Sequence, residues 1–148
     1  MKAKLYFDGA SSPHKKNPAS CGYVLEIEGR ERIEAQGEVP DKYPATNNSG
    51  EWLGLGHGLR RASIEGVTEL EIFGDSQLVI RQVTGEYKVK KDHLKIFHSA
   101  AISLLTKFKT WSIAWVDGYS NPADDISRTG KSEGIHRTKK TKTGIRDA

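Results

Sequence analysis

Residues 2–8, 21–28 and 32–39 alternate apolar and polar positions, the period-two pattern of half-buried strands. Gly29-Arg30 supplies a tight turn between the second and third, so the pattern predicts an antiparallel meander. Residues 9–20, with Pro13, Asn17 and Pro18, read as the loop joining the first two strands. Pro40 and Pro44 then break the third strand and lead to Thr46-Asn47-Asn48, a helix start. In the helix predicted over 48–63, Gly50, Gly54 and Gly58 recur at every fourth position and Gly56 is added. Each costs about 1 kcal/mol relative to alanine in a helix interior, so propensity alone argues against this helix. Three glycines on one face point instead to close approach onto the sheet or another helix.

Gly66 closes the next turn and residues 68–73 return as a strand. Residues 76–83 read as a short helix capped by Asp75 or Ser76 and closed by Gly85. Over 92–108, Leu94, Ile96, Phe97, Ala100, Ala101, Ile102, Leu104, Leu105 and Phe108 fall at helical spacing. A last strand over 111–116 and a helix over 122–128, with Pro122 near its first turn, complete the order βββαβααβα. That order predicts the α/β class: a five-stranded mixed sheet, three antiparallel strands then two more, flanked by helices.

A chain of 148 residues can bury a full core in one domain without covalent staples. The single cysteine, Cys21, excludes an internal disulfide and falls in an apolar strand, as a buried structural thiol would. No apolar run reaches the length of a membrane span, and the basic start is too short and polar for a signal peptide. The expected location is therefore cytoplasmic, with no membrane partner. Residues 129–148 hold six Lys or Arg against two acids, which accounts for the whole net charge of +4. This divides the chain into a domain over 1–128 and a basic, flexible tail over 129–148. The tail reads either as a solvated terminus or as an arm adding non-specific phosphate affinity.

Four acids stand at the ends of these elements. Asp8 ends the run Leu5-Tyr6-Phe7, Asp75 follows the strand ending Phe73-Gly74, Glu51 lies in the opening turns of the glycine-rich helix, and Asp124 begins the last one. Singly, each has an ordinary explanation as a cap, a turn residue or a solvated helical acid. Together, carboxylates at two strand ends and two helix starts can converge at one sheet edge. There they would repel unless cations neutralised them, and hard divalent ions take such oxygen ligands. The set suits a clamp for two Mg²⁺ ions roughly 3.5–4 Å apart, with Mn²⁺ as a substitute, for metal-assisted phosphoryl chemistry. The lone Cys and the dispersed His residues offer no zinc spacing.

The order and flanks of the four acids resemble the type 1 ribonuclease H family. Tyr6-Phe7-Asp8-Gly9-Ala10 is similar to its first-strand motif, and Thr46-Asn47-Asn48-Ser49-Gly50-Glu51 to its T-N-N-x-x-E helix start. Gly74-Asp75-Ser76-Gln77-Leu78-Val79-Ile80 resembles the third motif, continued by residues 84–90, and Ala123-Asp124-Asp125-Ile126-Ser127-Arg128 the final A-D-x-x-S/A-R helix. The resemblance covers residues 1–128 in order and restores the glycine-rich helix that propensity disfavours. It chooses Asp124 over its neighbour Asp125 for the fourth acid.

The resemblance implies a ribonuclease H-like fold and an endonuclease, acting as a monomer without an obligatory protein partner. It would cut the RNA strand of RNA–DNA hybrids, leaving 5′-phosphate and 3′-hydroxyl ends. Asp8, Glu51, Asp75 and Asp124 would be the catalytic metal ligands. Asn48 and Gln77, with Asn47 beside them, would meet the minor groove and 2′-hydroxyls, and Thr46 a DNA-strand phosphate. Thr46, Asn47 and Asn48 serve equally as helix caps, and Gln77 as an exposed first-turn residue. Two family features are missing: the loop Asp117-Gly118-Tyr119-Ser120-Asn121 has no histidine, and residues 85–93 supply only Lys88, Lys90 and Lys91 where some members carry a long basic handle. Two other readings stay open, a nuclease for double-stranded RNA or other duplexes and a non-catalytic hybrid-binding module.

Overall fold

The chain's computed structural model describes residues 1–12 and 18–128; the basic tail predicted over 129–148 lies outside the described residues. Strand β1 (Lys2–Ser11) is the centre of a five-stranded sheet. On one side it pairs antiparallel with β2 (Ala19–Ile27), which pairs antiparallel with β3 (Ile33–Glu38). On the other it pairs parallel with β4 (Glu69–Gly74), and β4 pairs parallel with β5 (Thr110–Trp115) at the edge. The helices are α1 (Asn47–Ile64), α2 (Gln77–Val83), α3 (Asp92–Leu105) and α4 (Ala123–Ser127). The element order and the mixed α/β sheet are those the sequence predicts.

Alternation decides which face of each strand is buried. Leu5, Phe7, Tyr23, Leu25, Leu70 and Ile72 face α1, α2 and α3, joined there by Trp52, Leu55, Leu59, Val79 and Phe97 in the main core. Val24 on the opposite face packs with Ala123 and Ile126 of α4 and with Tyr6 in a smaller cluster. Cys21 is buried, as expected of a structural thiol, and burial pushes it up to about 12.

The predicted loop over 9–20 is shorter than expected. Three further pairs, Gly9 with Cys21, Ala10 with Ser20 and Ser11 with Ala19, extend the β1–β2 ladder past Asp8. The apolar alternation stops at Gly9, where a Cβ would overlap the α1 backbone, and the exposed Ser11 does not restore it.

The glycine row of α1 faces the sheet. A Cβ at Gly54 would lie 2.7 Å from Gly22 O and 2.8 Å from Asp8 O, and one at Gly50 would overlap the Ser20 carbonyl. At Gly58 it would press within 2.5 Å of the Leu5 side chain, whereas at Gly56 it would meet nothing within 4 Å. Gly54→Ala is therefore expected to destabilise the fold by about 1–3 kcal/mol, since backbone must move. Gly56→Ala is expected to stabilise it by about 1 kcal/mol through helix propensity alone. Urea titrations of both variants check this, and equal effects would show that the row is not a contact surface.

Candidate active site

Each element delivers its acid for a local reason. Parallel pairing sets Phe7 opposite Gly74, so Asp8 stands level with Asp75, the first residue past β4. Glu51 arrives because backbone packs on backbone: a Cβ at Gly9 would overlap Glu51 N and Gly50 C. Thr46 caps α1, its hydroxyl accepting from Ser49 N at 3.1 Å. Ser76, rather than Asp75, caps α2, accepting from Val79 N at 3.2 Å, which leaves the Asp75 carboxylate for the site.

One ligand oxygen each from Asp8, Glu51 and Asp75 lies within 4.8 Å of the others. Asp8 and Glu51 are only 4% and 7% exposed. Burial first, and then the charge of Asp75, pushes Asp8 up to about 7. Burial followed by the charges of Asp8 and Asp75 pushes Glu51 up to about 10. Asp75 is raised too, by burial above all, with the Asp124 charge adding to it.

Asp124 stands outside this trio. It is half-buried at the start of α4, its Oδ1 accepting from Arg128 Nη2 at 3.0 Å, while Asp125 is exposed. Its charge reaches Asp75 across the mouth of the cluster. Of the other residues singled out, Thr46, Asn47 and Gln77 are exposed and Asn48 is half-buried. All four sit at the first turns of α1 and α2, the helices that follow or carry two of the acids.

Motif reading missed the residues that hold α4 in place. Ser127 Oγ donates to Asp8 Oδ2 at 3.0 Å, and Ser20 Oγ donates to the Ser127 carbonyl. Asn121 Nδ2 donates to Phe7 O at 3.0 Å while its Oδ1 accepts from Ala123 N at 3.0 Å. Trp115 Nε1 donates to Asp75 O at 3.2 Å. All but the local Asn121–Ala123 bond span 40 to 119 positions, and no local pattern announces those. Tyr119, in the loop position discussed above, is fully exposed.

The donor set fits a hard divalent cation. It is all carboxylate oxygen, and Glu51 Oε1 is buried without a hydrogen-bond partner among the described residues. Three crowded carboxyls, each raised by burial with no counter-charge beside it, are the arrangement a cation would relieve.

A β3-β2-β1-β4-β5 sheet with acids gathered where the parallel pairing of its two central strands ends defines a ribonuclease H-like nucleic-acid domain. The reverse transcriptase-like family model matches residues 6–128. Ribonuclease HI of Halobacterium salinarum is 38% identical over 124 residues, 84% of this chain and 61% of that protein. Its crystal structure superposes with a TM-score of 0.71 at 34% identity, covering 85% of this chain and 94% of that one. The N-terminal RNase H domain of a Mycobacterium tuberculosis bifunctional protein gives a TM-score of 0.73 at 28% identity, covering 94% of this chain and 98% of the domain. LC11-RNase H1, solved in complex with RNA/DNA hybrid, gives 0.67 at 26% identity over 84% of this chain and 92% of that one. The chain belongs to the type 1 ribonuclease H family. It spans less than two thirds of the curated relatives it matches, 61% of the halobacterial protein and 34% of the mycobacterial one.

Proposed function

We propose that residues 1–128 form an endoribonuclease that hydrolyses the RNA strand of RNA–DNA hybrids, acting as a cytoplasmic monomer and leaving 5′-phosphate and 3′-hydroxyl ends. The observation that carries this is the buried meeting of Asp8, Glu51 and Asp75, with one Glu51 oxygen unsatisfied. Asp8, Glu51 and Asp75 would hold the divalent cations, with Asp124 closing the open side from α4. Mg²⁺ held by these carboxylates would supply water activation and charge neutralisation at the leaving oxygen.

The chain's own groups do the rest. Ser127 fixes Asp8 by donating to its Oδ2. Asn121 ties α4 to β1, so the carboxylate of Asp124 is presented from a braced helix although that helix is only five residues long. Arg128 balances Asp124 until a competing cation arrives. Thr46, Asn47, Asn48 and Gln77 present polar groups beside the cluster that suit phosphates and the 2′-hydroxyls of a wide minor groove. Thr46 accepts from Ser49 N as a cap and donates its hydroxyl hydrogen to Ser49 Oγ at 3.2 Å, so a phosphate would take that hydrogen in place of Ser49 Oγ.

The deciding experiment is cleavage of an end-labelled RNA–DNA hybrid with and without Mg²⁺, with the product ends identified. Mg²⁺-dependent internal cuts in the RNA strand alone are expected, with DNA duplex untouched because it lacks the 2′-hydroxyl. Efficient cutting of DNA duplex would overturn the hybrid assignment. Deleting residues 129–148 is expected to preserve turnover at saturating hybrid. If the basic segment tracks phosphates, the deletion flattens the salt dependence of binding; equal affinities at every salt concentration would remove it from the functional account.

A further inference from the structure

Gln77 and Arg81 lie one turn apart on α2, and Arg81 Nε donates to Gln77 Oε1 at 3.3 Å. Arg81 is not a loose surface cation. Its Nη1 also donates to Glu86 Oε2 at 3.2 Å and to the Tyr87 hydroxyl at 3.0 Å, and its guanidinium lies 5.3 Å from the centre of the Tyr87 ring. The backbone repeats the link, Tyr87 N donating to Arg81 O at 2.9 Å. Gln82 Nε2 holds the next residue by donating to Lys88 O at 3.3 Å. Gly85, with φ of +87°, makes the reversal that folds this segment back onto α2.

An amide has an accepting oxygen and a donating nitrogen at similar positions, and an exposed one is free to turn either outward. A guanidinium has donors only, so it can pair with the oxygen and never with the nitrogen. We infer that Arg81 is a positioning residue that fixes the Gln77 amide with its nitrogen outward, making Gln77 a donor-only contact for the nucleic acid. This rests on the reading of the chain as a hybrid nuclease. Its chemical consequence is specific. Minor-groove edges carry acceptors at purine N3 and pyrimidine O2 whatever the base, and the 2′-hydroxyl oxygen also accepts. A donor held outward there binds every sequence alike, whereas a freely turning amide would spend part of its time presenting an oxygen to other acceptors.

A double-mutant cycle on one hybrid separates this role from a general structural one. Gln77→Ala and Arg81→Ala are each expected to raise KM about three- to tenfold, the range of one hydrogen bond, with kcat unchanged. The double variant is expected to be no worse than Gln77→Ala alone. Arg81→Lys, which keeps the charge but not the planar fork, is expected to behave as Arg81→Ala. If the Arg81→Ala effect persists in full in the Gln77→Ala background, Arg81 meets phosphate directly and the assignment is overturned. Full rescue by lysine overturns it as well. Should Arg81→Ala fail to fold, the pair Glu86→Gln and Tyr87→Phe loosens the same brace, and its KM rise must likewise vanish without Gln77. A wild-type protein that neither binds nor cuts the hybrid removes the parent reading and this one together; a cutting enzyme with additive effects removes only this one.

Discussion

Asp8→Asn is expected to lower Mg²⁺-dependent hybrid cleavage at least about a thousandfold, equivalent to some 4 kcal/mol of transition-state stabilisation. Asp8 is the hinge of the site: it lies between Glu51 and Asp75, and it alone of the three is tied to α4 through Ser127. Asparagine keeps the shape and can still accept from Ser127 Oγ, so the fold should persist. It removes the central anionic ligand, and a neutral amide oxygen is a far weaker partner for a hard cation. The same change should stabilise the metal-free protein. Asp8 is 4% exposed and faces Asp75, so its charge is a cost that folding bears when no cation is present. At about pH 8 in chelator, the melting midpoint is expected to rise by about 5 °C, the shift that roughly 2 kcal/mol produces in a chain of this size. Single-turnover cleavage and a melting curve on the same preparation check both halves. Retained cleavage above a tenth of wild type would mean that the trio is structural.

The architecture was legible because its strands and helices advertise themselves by period. Leu5, Phe7, Leu70 and Ile72 fall on the buried face that alternation assigns them; of the α3 apolar residues at helical spacing, Leu94, Phe97, Ala101 and Leu105 are buried while Ile96 and Ala100 face solvent. The glycines of α1 were legible only as a need for closeness. Which partner they approach, the β1–β2 ladder, depends on sheet order and not on any local signal. The end of β1 and the start of β2 were misjudged because Gly9, held small under α1, and the exposed Ser11 interrupt the alternation that marks a strand. The acids were found through motif order; spacing could not show that Asp124 stands apart from the other three. Ser127, Asn121 and Arg81 escaped because their meaning lies in what they touch. A buried serine in a short helix reads as unremarkable until its partner, 119 positions away, is seen to be Asp8.

Stability should depend on pH and on divalent cations together, with a sign that the cluster fixes. Asp8 and Glu51 have ordinary values of 3.8 and 4.5, and in the folded chain stand at about 7 and about 10. Raised carboxyls mean that the native state binds more protons than the unfolded one between those limits. Their contribution is therefore fully present below about pH 4 and is lost in stages as pH rises, through Asp8 near 7 and then through Glu51 near 10. A divalent cation takes the place of those protons, so it competes poorly when they are bound and well when they are not. Saturating Mg²⁺ is thus expected to raise the melting midpoint little at about pH 5 and by about 5 °C or more at about pH 8. Glu51→Gln should shrink the pH 8 gain, because a neutral amide replaces the ligand whose free oxygen, Oε1, has no protein partner among the described residues. Melting curves at both pH values, with Mg²⁺ or with chelator, test the linkage without reference to nuclease activity. Equal gains at the two pH values, or a gain unchanged in Glu51→Gln, would place the stabilising cation somewhere other than this cluster.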